Sequence, residues 1–264
     1  MIRFLAKLLV LPTALLALAA CGARPLLGEV TLSAPELHAT GAGETVRISY
    51  AIGRPASVTV YLEDAAGARY VLRQDEPRQA SAEPYTLRFD GTAPTDDPEI
   101  RQRALPSGSY TVVVEAAAAD GERAKRELPL TIVAADAPLP QIENLVAYPT
   151  TISPNADAID DVAEITFRPV VTATVDIEII GPGCNPLCPF ISGQEVEPVL
   201  QRFVWNGRTV DGALLPNGDY TYLVRARDRL GNLVEKRGAI SVVGAGQPEV
   251  TITYSYMAPQ AIML

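Results

Sequence analysis

The chain repeats itself, and this limits its folds more than any other feature. Phe89-Asp90-Gly91, Leu105-Pro106-Ser107-Gly108-Ser109-Tyr110 and Gly121 recur, in the same order, as Trp205-Asn206-Gly207, Leu215-Pro216-Asn217-Gly218-Asp219-Tyr220 and Gly231. Upstream, Ile48, Tyr50, Val58, Val60 and Leu62 correspond to Ile165, Phe167, Val175, Ile177 and Ile179 at a constant offset of 117. The offset falls to 116 at Trp205 and to 110 at Leu215, so one residue is lost in the middle hairpin and six in the polar segment that follows. Length changes confined to connections, with the strand signals intact, imply two copies of one fold.

Each copy alternates apolar and polar residues with a period of two. Val46, Ile48 and Tyr50 share a face with Arg47 and Ser49 opposite, and Val58, Val60 and Leu62 do the same against Thr59, Tyr61 and Glu63. This is the pattern of antiparallel strands with one face on a core. Turn signals fall at Ala65-Ala66-Gly67 and Asp120-Gly121, while residues 92–104, with Pro94, Asp96, Asp97 and Pro98, read as a polar loop. About seven short strands per copy predict an all-β chain of two tandem immunoglobulin-like β-sandwiches. A hydrophobic fraction of 48% against 20% charged is enough to build both cores.

The first residues have a different character. Arg3 and Lys7 flank a start that leads into an apolar run from Leu8 to Leu18, too short to span a bilayer comfortably. It ends in Leu18-Ala19-Ala20-Cys21, which resembles the lipobox of bacterial lipoprotein precursors. The resemblance implies a signal peptide over 1–20, cleavage before Cys21, and a diacylglyceryl group on that sulfur. Two or three acyl chains hold a protein on a membrane without a spanning helix. Gly22 stands where an inner-membrane retention signal carries Asp, so the outer membrane or the cell surface is expected. Residues 21–28 then read as a tether, 29–134 as the first sandwich, 135–140 as a proline-rich linker, 141–244 as the second, and 245–264 as a tail.

The second copy carries a further resemblance. Ser153-Pro154-Asn155-Ala156-Asp157-Ala158-Ile159-Asp160-Asp161, Trp205-Asn206-Gly207, Asp211-Gly212, Leu215 to Tyr220 and Asp228-Arg229-Leu230-Gly231-Asn232 resemble the Ig-like domain of the flagellar hook-capping protein (FlgD-type) over residues 141–243. That family usually has Gly where this chain has Ala156 and Ala158. The resemblance implies an exported structural module. It does not imply a hook cap, because the family's N-terminal capping region is absent.

With Cys21 lipidated, Cys184 and Cys188 remain as an even pair in an oxidising compartment, and a local disulfide is expected; free thiols or half a metal site are the alternatives. Calcium is the candidate cofactor, because Asn155, Asp157, Asp160 and Asp161 offer several oxygens from one loop, though Asx turns explain the same residues. The spacing has neither the glycine nor the distal glutamate of an EF-hand loop. Catalysis has little to stand on: His38 is the sole histidine, there is no Gly-x-Ser-x-Gly elbow, and no carboxylate pair stands out. Loss of Arg3 and Lys7 with the precursor takes the formal charge from −9 to −11, and an acidic body with no basic cluster argues against nucleic acid as partner.

Pro248 to Met257 alternates like another strand, either extending the second sandwich or pairing with a partner's sheet edge. The sequence therefore predicts a non-catalytic, lipid-anchored envelope protein that presents two Ig-like modules as a spacer or scaffold for other envelope proteins. The alternatives are a carbohydrate- or polymer-binding lipoprotein and an accessory subunit of a surface enzyme or transporter.

Overall fold

The computed structural model describes residues 24–134 and 138–246. Every regular element in them is a strand. The first copy contains β1 (Leu27–Leu32), β2 (Glu36–Ala39), β3 (Val46–Ile52), β4 (Ala56–Asp64), β5 (Arg69–Arg78), β6 (Tyr85–Phe89), β7 (Thr92–Pro94), β8 (Ile100–Ala104), β9 (Gly108–Ala117) and β10 (Arg123–Ala134). The second contains β11 (Ile142–Tyr148), β12 (Thr151–Ile152), β13 (Ala163–Pro169), β14 (Ala173–Ile180), β15 (Cys188–Val196), β16 (Gln201–Trp205), β17 (Gly218–Arg227) and β18 (Leu233–Val242).

In each copy a three-stranded sheet covers a larger one. The first pairs β1-β3-β6 with β2-β10-β9-β4-β5; the second pairs β11-β13-β16 with a sheet containing β15-β14-β17-β18. The alternation read from sequence sets the two faces. Val46, Ile48, Tyr50 and Ile52 point into one core, and Ala163, Ile165 and Phe167 into the other, with exposed or half-buried residues between them. Burying each large apolar side chain contributes about 1.5–3 kcal/mol. One cluster draws on Leu26 to Ile132 and the other on Ile142 to Val242, and they share no residue.

The repeated Leu-Pro-x-Gly-x-Tyr run builds the same corner twice. The Tyr110 hydroxyl donates to the Pro106 carbonyl at 2.9 Å, and the Tyr220 hydroxyl donates to that of Pro216 at 2.5 Å. Each reaches back four residues, the tyrosine corner of Greek-key sandwiches. Leu105 N–H to Gly91 O (2.8 Å) and Leu215 N–H to Gly207 O (2.9 Å) close the same loop in both copies. Trp205 and Phe89 are both buried, as their place in the repeat predicts.

Two expectations change. The tether over 21–28 is shorter than the sequence suggests: Leu26 and Leu27 are buried in the first core and β1 already starts at Leu27. Gly28 and Glu29 break the apolar pattern there, which hides the strand. The polar loop over 92–104 is a hairpin, β7 with β8, in register from Thr92↔Ala104 to Pro94↔Gln102.

Strand directions fix the polarity of the molecule. In the first copy the start of β1 lies opposite the end of β3 (Leu27↔Ile52), and β2 runs parallel to the end of β10 (Thr131↔Glu36), so the chain enters at one pole and leaves at the other. In the second copy Ile142↔Pro169 and Ile152↔Val242 give the same polarity. The two copies are stacked head to tail.

Candidate functional site

The best-developed polar constellation lies where the two copies meet. Hairpin β7–β8, at the exit pole of the first copy, adds to the larger sheet of the second through β18, with Leu233↔Gln102 and Val234↔Ile100 paired. The six residues by which the first copy exceeds the second lie in this hairpin. The length difference therefore serves the contact between copies and is not a tolerated surface insertion.

Buried polar groups fix the register. Asn232, 3% exposed, accepts from Ala104 N–H at 2.7 Å through Oδ1 and donates to Asp228 Oδ2 at 2.7 Å through Nδ2. Asp228 Oδ1 accepts the N–H groups of Leu230 and Asn232, each at 2.9 Å. Gly231, at φ 86°, passes so close to Thr92 that an added Cβ would lie 2.8 Å from its Cγ2. Glu235 is buried too; its N–H donates to Glu99 O at 2.8 Å, and its carboxylate faces Arg237 (3.2 Å), Arg225 (3.5 Å) and Arg101 of the hairpin (3.9 Å). Removing one partner of such a buried ion pair is strongly destabilising. Arg227 to Gln102 Oε1 (3.0 Å) and Arg229 to Thr40 O (3.2 Å) complete the contact.

The sequence singles out Asp228 to Asn232 as a patterned turn without showing its use. The first copy carries the same turn at Ala118 to Glu122, with matching backbone hydrogen bonds, but at its entry pole, away from the second copy. There Arg54 binds Asp120 and Glu122 instead. The signal that could have revealed the junction is the alternation Ile100, Gln102, Ala104 inside the insertion, together with Asn232 where the first copy has Glu122.

At the far pole, the loop holding Asn155, Asp157, Asp160 and Asp161 is closed on itself. Asp161 Oδ1 accepts the N–H groups of Asn155 (3.0 Å) and Ala156 (2.8 Å), and Oδ2 accepts that of Ala158 (2.8 Å). Asp157 Oδ1 accepts Ile159 N–H, and Asn155 Oδ1 accepts Asp157 N–H. Burial alone would push the Asp161 carboxyl up, but these backbone donors hold it below the usual aspartate value. These residues do not fit a calcium cage: the oxygens of Asn155, Asp157 and Asp161 are turned onto the loop's own N–H groups, Asp160 is exposed, and among the described residues no three acidic, His or Cys side chains converge on one point. The Asx-turn reading describes the loop. Ala156 (φ 66°), Ala158 (φ 68°) and Asp160 (φ 51°) are left-handed, a conformation that side chains bearing a Cβ rarely adopt.

Cys184 and Cys188 form the expected disulfide, with Cα atoms 5.2 Å apart, in the turn between β14 and β15. His38 makes an exposed pair with Glu36 at 2.8 Å. Cys21 and the tail from residue 247 lie outside the described residues.

No family model matches the chain, and no curated protein matches it. Among solved structures, a tetra-tandem repeat from the extending region of a large adhesion protein aligns at 17% identity over 81% of this chain and 48% of that one, with a TM-score of 0.26. A Ca2+-stabilized adhesin with which an Antarctic bacterium binds ice aligns at 17% identity over 82% and 49%, TM-score 0.28. Dimeric latent PorU from Porphyromonas gingivalis aligns at 14% over 82% and 20%, TM-score 0.30. The chain spans about half or less of the length of these proteins.

Proposed function

We propose that this protein is a lipid-anchored, non-catalytic spacer of the bacterial cell envelope, in which two Ig-like modules of the hook-capping type form one stiff unit. The observation that carries this reading is the β7–β8 hairpin of the first module paired into the sheet of the second, with Asn232 and Glu235 buried in the contact. Independent modules on a flexible linker have no need of a shared sheet. Head-to-tail polarity adds to it: the chain enters the first module at one pole and leaves the second at the opposite pole, so an anchor at Cys21 holds the far pole away from the membrane. The Cys184–Cys188 disulfide suits an oxidising compartment. A sugar-stacking platform has less support, because Tyr148 is the only exposed aromatic among the described residues.

Small-angle scattering on the chain lacking residues 1–20 tests stiffness. A single elongated particle is expected for it, and a broadened ensemble when the hairpin is cut to the length of the second copy's loop. An equally broad ensemble before the cut overturns the spacer. Globomycin treatment or Cys21→Ala, followed by membrane fractionation, tests the anchor separately; unchanged processing and retention would rule it out.

A further inference from the structure

Strand β18 has two neighbours on the flank away from β17. β12 runs parallel to its end, at Ser241 and Val242, and β8 runs antiparallel to its start, at Leu233 and Val234. Strand β10 is its counterpart, since Lys125↔Glu115 and Glu235↔Arg225 are equivalent pairs. Along β10, β2 covers Thr131 to Ala134, and among the described residues no strand covers Arg123 to Leu130. Arg123, Lys125 and Arg126 are accordingly exposed, whereas their equivalents Leu233, Glu235 and Lys236 are buried or half-buried against the hairpin. In the junction the Glu235 N–H donates to Glu99 O at 2.8 Å. By the shared register the Lys125 N–H and carbonyl face the open flank, and the carbonyl accepts from the guanidinium of Arg126 at 2.9 Å. Charge on an edge often keeps other strands off. It does not seal this one, because β18 carries Glu235, Lys236 and Arg237 and still takes β8.

We infer that the first half of β10 is a strand acceptor, and that its occupant is an extended segment of another protein, antiparallel to it and acidic where β8 carries Arg101 and Gln102. The sign comes from the comparison with β18. There Arg101 answers Glu235 at 3.9 Å, Glu99 answers Lys236 at 3.9 Å, and Gln102 lies opposite Leu233. On β10 these three positions are Lys125, Arg126 and Arg123, all cationic in a chain of net charge −9. Leu139, which shares a junction cavity with Glu235, is Arg24 by the equivalent pairs Leu27↔Ile52 and Ile142↔Pro169. The acids on this stretch are already engaged: Glu127 with Lys125 at 2.6 Å, and Glu122 with Arg54. Glu122 stands where Asn232 accepts the Ala104 N–H, so an incoming N–H meets an oxygen there too. In strand addition the main-chain bonds supply affinity and the flanking charges choose the partner.

Hydrogen exchange read by mass spectrometry on the full chain in detergent tests this. The probe is a synthetic peptide of residues 92–104 carrying Arg101→Glu and Gln102→Glu, and the unaltered 92–104 peptide is its control. Fast exchange is expected at 123–127 in the protein alone. The acidic probe should slow it by about fivefold or more and the control should not, with β17 and β18 unmoved. Lys125→Glu should reverse the preference, so that the unaltered peptide, with its Arg101, gives the protection. Unchanged exchange across β9 in that variant shows that the sheet is folded. An equal response to both peptides, or to neither, overturns the inference. So does slow exchange at 123–127 in the protein alone: protection that survives dilution assigns the flank to residues 1–23 of this chain, and protection lost on dilution assigns it to a second copy.

Discussion

The two copies have one core and different ends. Leu105-Pro106 and Leu215-Pro216 lead into the same tyrosine corner, and both turns at 118–122 and 228–232 close with the same backbone bonds. What surrounds those features has diverged. The exit pole of the first copy grows a hairpin and docks on its neighbour, while the equivalent pole of the second has a shorter connection and the closed loop of Asn155 to Asp161. The duplicated scaffold therefore keeps the two cores alike, and the differences between the copies gather at their poles.

The sharpest way to break the comparison uses the single tryptophan. Trp205 sits in the second core alone, T-shaped against Tyr220 with ring centroids 5.9 Å apart, so its fluorescence reports that sandwich. Phe89→Ala should destabilise the first sandwich by about 3–5 kcal/mol. If the hairpin couples the modules, the Trp205 melting transition falls too; an unmoved transition shows that the copies unfold independently. Asn232→Ala comes next, with an expected loss of about 1–3 kcal/mol, because Ala104 N–H and the Asp228 carboxylate each lose a buried partner. In that background Phe89→Ala should no longer shift the Trp205 transition as far.

The tyrosine corners separate the copies on a finer scale. The single Tyr220 O–H has two carbonyls within reach, Pro216 O at 2.5 Å and Pro182 O at 2.9 Å, whereas Tyr110 has only Pro106 O at 2.9 Å. Tyr220→Phe leaves two carbonyls without their shared donor and Tyr110→Phe leaves one, so Tyr220→Phe is expected to cost at least as much, both within about 0.5–3 kcal/mol by chemical denaturation. Burial, followed by Tyr70 and Asp64, pushes the Tyr110 phenol up to about 12. Its folded value is raised, so its stabilisation is intact below the ordinary phenol range and is lost as pH climbs from about 10 toward 12. Tyr110→Phe should remove that part of the alkaline melting slope.

The sandwich fold was legible because strand alternation is a local signal, and the tandem arrangement because repetition amplifies it. Val58, Val60 and Leu62 needed no partner to be recognised as a strand, and finding Val175, Ile177 and Ile179 at the same offset made the reading secure. The junction was not legible. Ile100 to Ala104 carries three polar or charged residues and becomes a strand only because β18 offers it an open edge, a long-range condition that no window of sequence contains. Buried Asn232 and Glu235 were hidden for the same reason: their types are those of a solvated turn, and only the neighbouring module buries them. The acidic loop left two readings open, a cation site and Asx turns, and the backbone donors on Asn155, Asp157 and Asp161 decide for the turns.

That loop yields the smallest effect and the most specific one. An alanine at φ near +65° is strained by its Cβ by about 1–2 kcal/mol, and the extra chain entropy glycine loses on folding offsets only part of that. Ala156→Gly and Ala158→Gly should each raise stability by about 0.5–1 kcal/mol, with the sign set by relief of the left-handed strain. The loop should also respond to acid. Backbone donors hold Asp161 below its ordinary value, so its contribution is complete above the unfolded carboxylate range and is lost as pH falls through the folded one. Asp161→Asn should abolish that acid sensitivity in a series of melting curves, whereas calcium and chelator should leave the melting temperature unmoved. A rise with calcium would mean that the carboxylates leave their own N–H groups for a cation, and the loop would then have to be redrawn as a site.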